Sequence, residues 1–182
     1  MTYNICHPLK SVCLFLNAVA NHLDLHDFIS PTLTEDLLPK TTRIVFKSEP
    51  EDKTRDDALP MVAYSVGELT ITPMRPTSVV QGTSNGTMGE LLTNIRFTVS
   101  TTNEALTAEL AFELAQFSMA ILKTMQTYDF FIGGITVSEV KRTAGGFFEA
   151  VTGLRANCGR PVWQHSNSSD ILREIGMALN IV

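Results

Sequence analysis

Two histidines near the end of the first apolar segment have a spacing that suits metal binding. His22 and His26 are four residues apart, so both imidazoles would lie on one side of a helix. Asp24 and Asp27 lie close by, but a zinc site needs three or four ligands and no third ligand stands at a recognisable spacing. We therefore expect two exposed histidines near a helix C-terminus, where the helix dipole favours positive charge, and no metal.

Cysteine chemistry is the next candidate, because the chain contains Cys6, Cys13 and Cys158. An odd number without close pairing argues against a disulfide framework and favours a reducing compartment. A cysteine nucleophile needs a base brought to it in space, and no family-specific signature surrounds Cys6 or Cys158. We expect buried or incidental cysteines.

Hydrolase chemistry is suggested by His165, which precedes Ser166 with Asp170 nearby. No Gly-x-Ser-x-Gly elbow exists in the sequence, and the run NSSD is better explained as a helix cap. We therefore predict no catalytic residue, no cofactor and no enzyme. The alternative from another class is a small cytosolic enzyme or ligand-binding domain whose site forms from Cys158, His165 and their neighbours.

A phosphate cradle is suggested by the run VKRTAGGFFEAVTGL, residues 140–154, in which Gly145 and Gly146 follow Lys141 and Arg142. A phosphate-binding loop lies between a strand and a helix, but the residues after these glycines have strand-like composition. No Gly-Lys-Ser/Thr and no Gly-x-Gly-x-x-Gly occurs. We predict a hairpin turn in which the glycines supply positive φ, with Lys141 and Arg142 pointing outward near its tip.

Two phenylalanines are expected to begin the return strand of this hairpin. Consecutive residues of a strand point to opposite faces of the sheet, so Phe147 and Phe148 cannot share one face. We expect one ring to enter the core against the long helix. The other ring is then expected to be covered by another subunit.

The charged residues are unevenly placed. The chain has 14 lysines and arginines against 19 aspartates and glutamates, a net charge of −5. This balance argues against a nucleic-acid groove and suits a surface past which DNA slides without sticking.

One polar stretch contains five carboxylates: Glu49, Glu51, Asp52, Asp56 and Asp57. Paired catalytic carboxylates need an apolar cleft to separate their pKa values. We therefore predict that this stretch is a solvated loop, whose flanking residues could dock a partner.

The length of 182 residues fits a single domain, which we place over residues 1–182. The start MTYNICHPLK lacks the basic region and apolar core of a signal peptide. The longest apolar stretch, residues 12–20, is interrupted by Asn17 and is too short to span a bilayer. We expect a soluble protein made and used in the cytosol, without membrane contact.

Apolar periodicity predicts the elements that would position these residues. We expect a helix at about 8–25, a core helix at about 103–126 and a C-terminal helix at about 168–180. Thr101 and Glu104 fit a capping box for the core helix. A Gly/Ser/Thr-rich arm or loop covers about 74–91, and a hairpin covers about 134–156. Val137 and Val140 cannot share one face of a regular strand, which implies a bulge or a strand with apolar surroundings on both faces.

The fold class follows from the order of these elements. No β–α–β series recurs, so a doubly wound parallel sheet is not expected. In the strand TNIRFTVST, Ile95, Phe97 and Val99 would face one way and the polar residues the other. We predict an α+β fold: an antiparallel or mixed β-sheet with helices packed on one face, plus an extended loop or hairpin arm.

The arrangement from Leu92 to Trp163 resembles that of a known family. It consists of the strand TNIRFTVST, the long amphipathic helix NEALTAELAFELAQFSMAILKTMQ and the hairpin GGITVSEVKRTAGGFFEAVTGLRA, preceded by a helix and a Gly/Thr-rich loop. This order resembles the tail terminator and related neck or tail-completion proteins of tailed bacteriophages. The likeness covers most of the chain in order and size, and no signature motif accompanies it, so no residue role is transferred.

The resemblance implies a structural protein of the virion, assembled in the host cytoplasm. It implies a homo-oligomeric ring, commonly a hexamer, that caps the tail tube protein and joins it to a head-side connector or completion protein. DNA would pass through the lumen without specific binding. Another neck, tube or baseplate subunit is the close alternative. We assign subunit or partner contacts to Asn85, Gly86, Lys141, Arg142, Phe147, Phe148 and Trp163.

Overall fold

The computed structural model describes residues 9–49, 60–73, 86–159 and 162–164, with the backbone alone described for 73, 86–88, 128 and 162–164. Several residues named above lie outside the described residues, as does the C-terminal helix expected at about 168–180: Cys6, Asn85, His165, Ser166 and Asp170. Most of the acidic stretch, residues 50–57, also lies outside them.

The described chain forms helices and strands in the expected order. The helices are α1 (Lys10–Leu25), α2 (Glu104–Ala120) and α3 (Leu122–Met125), followed by a 3-10 turn (Gln126–Tyr128). The strands are β1 (Val45–Ser48), β2 (Met61–Val66), β3 (Thr70–Pro73), β4 (Gly86–Thr101), β5 (Phe131–Val137), β6 (Lys141–Arg142), β7 (Phe148–Asn157) and β8 (Val162–Gln164).

The strands form one mixed sheet. Its order is β1-β2-β4-β7-β5, with β3 and β8 paired to β4 and β6 paired to β7. β1 runs parallel to β2, and the other pairs are antiparallel. The predicted α+β class with a mixed sheet is confirmed.

The hydrophobic core lies between the sheet and the helices. Ile95, Phe97 and Val99 are fully buried, which confirms the predicted alternation along β4. Helix α2 supplies Leu110 and Leu114 to this layer. Helix α1 adds an apolar stripe to the same cluster: Val12, Phe15, Leu16, Val19 and Leu23. Burying a leucine or phenylalanine side chain contributes about 1.5–3 kcal/mol, so this two-layer core supplies most of the stabilisation.

The predicted capping box is wrong, because helix α2 begins at Glu104 and that residue is the first of the helix rather than the third. The N-cap is Asn103, whose side-chain oxygen accepts a 3.1 Å hydrogen bond from the backbone N–H of Leu106. The hydroxyl of Thr101 instead accepts a hydrogen bond from the N–H of Asn103 at 3.0 Å. Thr101 therefore stabilises the turn that precedes the helix.

The core helix also ends earlier than the predicted residue 126. Helix α2 ends at Ala120, and the short α3 and a 3-10 turn continue the chain. The hydroxyl of Ser118 donates a 2.6 Å hydrogen bond to the carbonyl of Leu114. Such back-bonding competes with the helical hydrogen bonds and often bends a helix, which accounts for the break one turn later.

Strand β4 is longer than predicted and forms the base of the arm. Residues 92–101 pair with β7 in the main sheet. Residues 89–92 pair with β3, and residues 86–88 pair with β8. The arm expected at about 74–91 is therefore strand from Gly86 onward. Gly67 lies between β2 and β3, where its N–H donates to the Asn94 carbonyl at 2.7 Å.

The hairpin turn is confirmed at Gly145–Gly146. Gly146 has φ +84°, a conformation that favours glycine, and its N–H donates to the Thr143 carbonyl at 3.0 Å. The predicted irregularity is also present. Pairing of β5 with β7 shifts register between Ile132 and Gly134, and the strand is interrupted between Val137 and Lys141.

Candidate interaction surface

Strand β5 forms one edge of the sheet. It pairs with β7 on one side and with no described strand on the other. Phe131 and Val137 at its ends are 39% and 42% exposed. Natural edge strands are usually protected by lysine, proline, a β-bulge or a covering element. FIGGITV contains neither lysine nor proline, but its pairing with β7 shifts register between Ile132 and Gly134. Among the described strands, the β5 edge therefore has no pairing partner on its outer side and carries one irregularity.

An apolar groove borders the β5 edge on the helix side. Helix α2 presents Phe112 and Met119, which are 49% and 58% exposed. Because they are seven residues apart, they lie on one stripe of the helix. The groove between this stripe and β5 has a volume of about 560 Å³ and is lined by Phe112, Ala115, Gln116, Met119, Ile132, Gly133, Gly134, Ile135 and Val137. We call it the apolar groove.

One polar atom in the apolar groove lacks a partner. The side-chain oxygen of Gln116 is buried and accepts no hydrogen bond. This absence of a partner holds for the described part of the chain, and an unsatisfied buried polar atom costs about 1–3 kcal/mol. The other lining residues are mostly apolar.

A polar groove borders the same edge on the other face of the sheet. It has a volume of about 810 Å³ and is lined mainly by β4, β5 and β7. Arg96 and Arg155 are exposed on this face, whereas the side chains of Ile95 and Leu154 point to the helix side and are buried. Within the described part of the chain, neither guanidinium has a hydrogen bond or an ion pair. We call this the open-face groove.

Glycines form the floor of the open-face groove. Gly153 pairs with Arg96 on one side and with Thr136 on the other. A Cβ at Gly153 would lie 2.9 Å from the hydroxyl oxygen of Thr136, and a Cβ at Gly134 would meet nothing within 4 Å. The space between the guanidiniums and the Thr136 hydroxyl therefore depends on these two glycines.

The hairpin tip brings together three of the residues assigned to subunit contacts. Lys141 and Arg142 are exposed on β6, where Lys141 pairs with Glu149 and Arg142 with Phe148. The Arg142 guanidinium carbon lies 5.9 Å from the centre of the Phe148 ring, a cation–π distance. Lys141 also lines the open-face groove.

The two phenylalanines are arranged differently from the prediction. The return strand begins at Phe148, and Phe147 belongs to the turn, so the two rings are not consecutive on one strand. Both rings are partly exposed. Phe148 is in phase with the core-facing residues of β7, and neither ring is fully buried within the subunit.

Two further assigned residues, Gly86 and Trp163, lie on the described part of the arm, which is remote from the hairpin tip. Gly86 pairs with Gln164, and Trp163 pairs with Thr87. Lys141 lies beside Glu149, whose partner on β4 is Ser100. Thr87 and Ser100 are thirteen residues apart on one strand, about 40 Å at the usual rise per residue. The assigned residues therefore divide between two surfaces, one at each end of β4.

A buried charged cluster between α1 and α2 was not expected. His22 is 7% exposed rather than exposed as predicted, and its Nε2 lies 2.7 Å from Oε1 of Glu113, which is fully buried. The imidazole stacks on the Phe117 ring at 3.9 Å between centres. Sequence reasoning placed His22 on a polar helix end, but it follows Val19 by three residues and continues the apolar stripe.

Backbone groups complete the cluster. The N–H groups of Ile29 and Ser30 donate to the two carboxylate oxygens of Glu113 at 2.8 and 2.5 Å. Burial raises the pKa of Glu113, but the hydrogen bonds from His22, Ile29 and Ser30 outweigh it and leave the pKa below its ordinary value. The carboxylate is satisfied by three donors, so the cluster anchors α1 and the following loop to α2.

The expected chemistry of the remaining candidates can be compared with the structure. No group of three or more metal-ligating side chains occurs among the described residues. Cys158 is buried, and burial raises the pKa of its thiol to about 11, which opposes a thiolate nucleophile. Within the described ranges, no helix is long and apolar enough to cross a membrane.

Comparison of the sequence with protein-family models and with curated proteins finds no match.

Proposed function

We propose that this chain is a structural virion protein of a tailed phage, which forms a terminator-like ring at the head–tail junction. The ring caps the tail tube and joins it to the head-side connector, and DNA passes through its lumen. Its subunits act by packing against one another and against the tube rather than by chemistry.

The observation that carries the proposal is the β5 edge beside the apolar groove. Val137 on β5 and Phe112 and Met119 on α2 are large apolar side chains that are 42–58% exposed on adjoining elements. Clustered exposure of this kind marks protein contacts. The opposite edge of the sheet is β1, so the two ends of the sheet present different surfaces. Subunits that bind one another head to tail through two different surfaces form a closed ring when the rotation between neighbouring subunits allows closure.

The order of elements supports the same proposal. A strand, a long helix and a hairpin follow an N-terminal helix, which is the arrangement that resembles the terminator and neck proteins. The long strand β4 extends beyond the main sheet into an arm bordered by β3 and β8. An arm of this length suits contact with a neighbouring ring.

Co-sedimentation with tail tubes tests the proposal. Purified tubes that lack their terminator are mixed with this chain, centrifuged and imaged after negative staining. We expect the chain to pellet with the tubes, to appear at one tube end and to stop further growth. Binding along the tube wall, or no pelleting at any concentration, would contradict a terminator role.

A further inference from the structure

We infer that strand β3 of one copy of this chain pairs with the outer edge of β5 of the next copy and places Leu69 and Ile71 in the apolar groove. The inference rests on the ring of the proposed function and names the two surfaces that meet within it. Addition of a strand to a sheet edge is a recurring mode of recognition, in which backbone hydrogen bonds give affinity and side-chain pockets give specificity.

Strand β3 has an unpaired edge of suitable length. It has four residues, whereas β5 has seven, so β3 fits within the length of the β5 edge. It pairs with residues 89–92 of β4, and no described strand pairs with its outer side. The backbone groups on that outer side can therefore pair with those of β5.

The two faces of β3 differ in polarity. Leu69, which directly precedes the strand, and Ile71 are two residues apart, so their side chains point to one face. They are 44% and 51% exposed. Thr70 and Thr72 point to the other face and are also exposed. One face of β3 thus offers two large apolar side chains, and the other offers two hydroxyl groups.

The surroundings of the β5 edge match these two faces. On the helix side, Phe112 and Met119 of α2 lie two turns apart, and the small Ala115 between them leaves room in the apolar groove. On the opposite side, Thr136 lines the open-face groove. A strand added to β5 would therefore set its apolar face against the apolar groove and its threonines beside Thr136.

The other edge strands fit the apolar groove less well. Among the strands with described side chains, the edges are β1, β3, β5 and β6. Strand β6 consists of Lys141 and Arg142, whose charges oppose burial in an apolar site. In β1, Phe46 is buried in its own core and no large apolar side chain is exposed. Pairing of β5 with β5 of a second copy is isologous and ends at a dimer rather than a ring.

The β3 of the same copy cannot occupy this position. Leu92 of β4 pairs with Thr70 on one side and with Asn157 on the other. Asn157 in turn pairs with Phe131 of β5. Two strands, β4 and β7, therefore separate β3 from β5, and three strand spacings amount to roughly 14 Å. The outer side of β3 faces away from β5, so pairing between the two edges requires a second copy.

The contact continues the sheet from one copy to the next. β3 runs antiparallel to β4, and β5 runs parallel to β4 because β7 is antiparallel to both. Two copies in the same orientation therefore bring β3 antiparallel to β5. Ile71 pairs with Leu91, which is in phase with the core-facing Ile95. The apolar face of β3 thus lies on the helix side of its own sheet, as the groove of the next copy requires.

Photo-cross-linking of isotopically mixed protein tests the contact. The full-length chain carries p-benzoylphenylalanine in place of Phe112, an aromatic exchange at a half-exposed position. On irradiation the ketone inserts into a nearby C–H bond, and no atom is lost. Equal amounts of ¹⁴N- and ¹⁵N-labelled protein are assembled with tail tubes, irradiated, digested and analysed by mass spectrometry.

We expect cross-linked peptides that join residue 112 to residues 69–72 and contain one light and one heavy partner. Exclusively unmixed peptides would show that the groove is covered by its own chain and would overturn the inference. Mixed peptides that join residue 112 to other segments, and not to 69–72, would also overturn it.

Lysine variants provide the second arm. L69K/I71K places charges on an edge strand, which opposes pairing, and is expected to abolish the mixed cross-link and to weaken subunit association by about tenfold or more. The matched control L25K/I29K makes the same exchanges at exposed apolar positions outside the apolar groove and is expected to associate as wild type. Urea unfolding of both variants checks that the subunit stays folded.

The outcomes separate this inference from the proposed function. Rings of L69K/I71K that are as stable as wild type would overturn the β3–β5 contact and leave the ring intact. Mixed cross-links to residues 69–72 in protein that forms only open filaments would support the contact and contradict the ring. Wild-type protein that remains monomeric, alone or with tubes, would remove both proposals.

Discussion

Nε2 of His22 lies 2.7 Å from Oε1 of Glu113, and this buried contact ties helix α1 to helix α2. The same carboxylate accepts hydrogen bonds from the backbone of Ile29 and Ser30, so one side chain fixes a helix and the loop after it. Helix α2 forms one wall of the apolar groove. The contact thus sets the position of the helix on which the candidate interaction surface depends.

Substitution of Glu113 by glutamine should strongly destabilise the fold. Glutamine keeps the volume but turns an amide NH₂ toward one of the three donors, and a buried polar group left without its hydrogen bond costs about 1–3 kcal/mol. The free energy of unfolding from urea titration measures the change. Glu109→Gln is the matched control, since the partly buried Glu109 accepts hydrogen bonds from Ser30 and Thr32. Equal losses in the two variants would contradict the special role of Glu113.

The stability of the protein should depend on Glu113 at acid pH. The pKa of Glu113 in the folded state lies below its ordinary value of 4.5. The stabilisation by its carboxylate is therefore fully present above about pH 4.5 and is lost as the pH falls through the lower folded-state pKa. Unfolding free energies measured from pH 6 downward should fall less steeply for Glu113→Gln than for wild type. Parallel curves would contradict the lowered pKa.

Alanine at Gly153 should be destabilising because of a single neighbour. Its Cβ would lie 2.9 Å from the Thr136 hydroxyl oxygen. Because Thr136 is exposed, its side chain can rotate away, and we expect a loss of about 0.5–1.5 kcal/mol. Thr136→Ala removes that oxygen and should rescue most of the loss. Thermal or urea unfolding of wild type, both single variants and the double variant measures the coupling. Purely additive effects would show that the contact with Thr136 does not limit position 153.

Serine at Phe112 and Met119 should weaken self-association without unfolding the subunit. Both side chains are largely exposed, so their removal costs the monomer little, whereas buried apolar anchors contribute strongly to an interface. Sedimentation velocity should show at least about tenfold weaker association for F112S/M119S. The control L25S/I29S removes exposed apolar side chains beyond the apolar groove and should associate as wild type. Equal weakening in both variants would argue for non-specific hydrophobic contact.

Cys158 should resist alkylation in the folded protein. Its thiol is buried, with a pKa of about 11, so only about one molecule in a thousand carries the thiolate at pH 8. Mass spectrometry after brief iodoacetamide treatment should show modification of Cys158 only in denaturant. Rapid labelling of Cys158 in the native protein would revive the alternative of a cysteine-based enzyme.

Much of the fold could be predicted from the sequence because periodicity reports burial directly. Ile95, Phe97 and Val99 alternate along β4 and are all buried. In the predicted turn, Gly146 has positive φ and Gly145 does not. Element ends were less accurate. The ends of α2 differ from the predicted ones for two reasons. The Ser118 hydroxyl bonds back to Leu114, and Asn103 caps the first turn. Both contacts depend on side-chain geometry, which apolar periodicity does not report.

The candidate surface was less predictable because it depends on strand order. The pairing of β4, β7 and β5 places β5 at the edge of the sheet and makes Arg96 and Arg155 diagonal neighbours. The His22–Glu113 contact joins residues 91 apart in sequence. Its one available signal was Glu113 itself, a carboxylate within the apolar stripe of a core helix beside Leu110 and Leu114.

The oligomeric state of the full-length chain tests the ring most directly. Native mass spectrometry and class averages of negatively stained protein are measured over a wide concentration range, with and without tail tubes. We expect a closed ring of one defined subunit number, commonly six, with a central lumen and a diminished population in F112S/M119S. A chain that remains monomeric throughout, or forms open filaments of indefinite length, would contradict the ring.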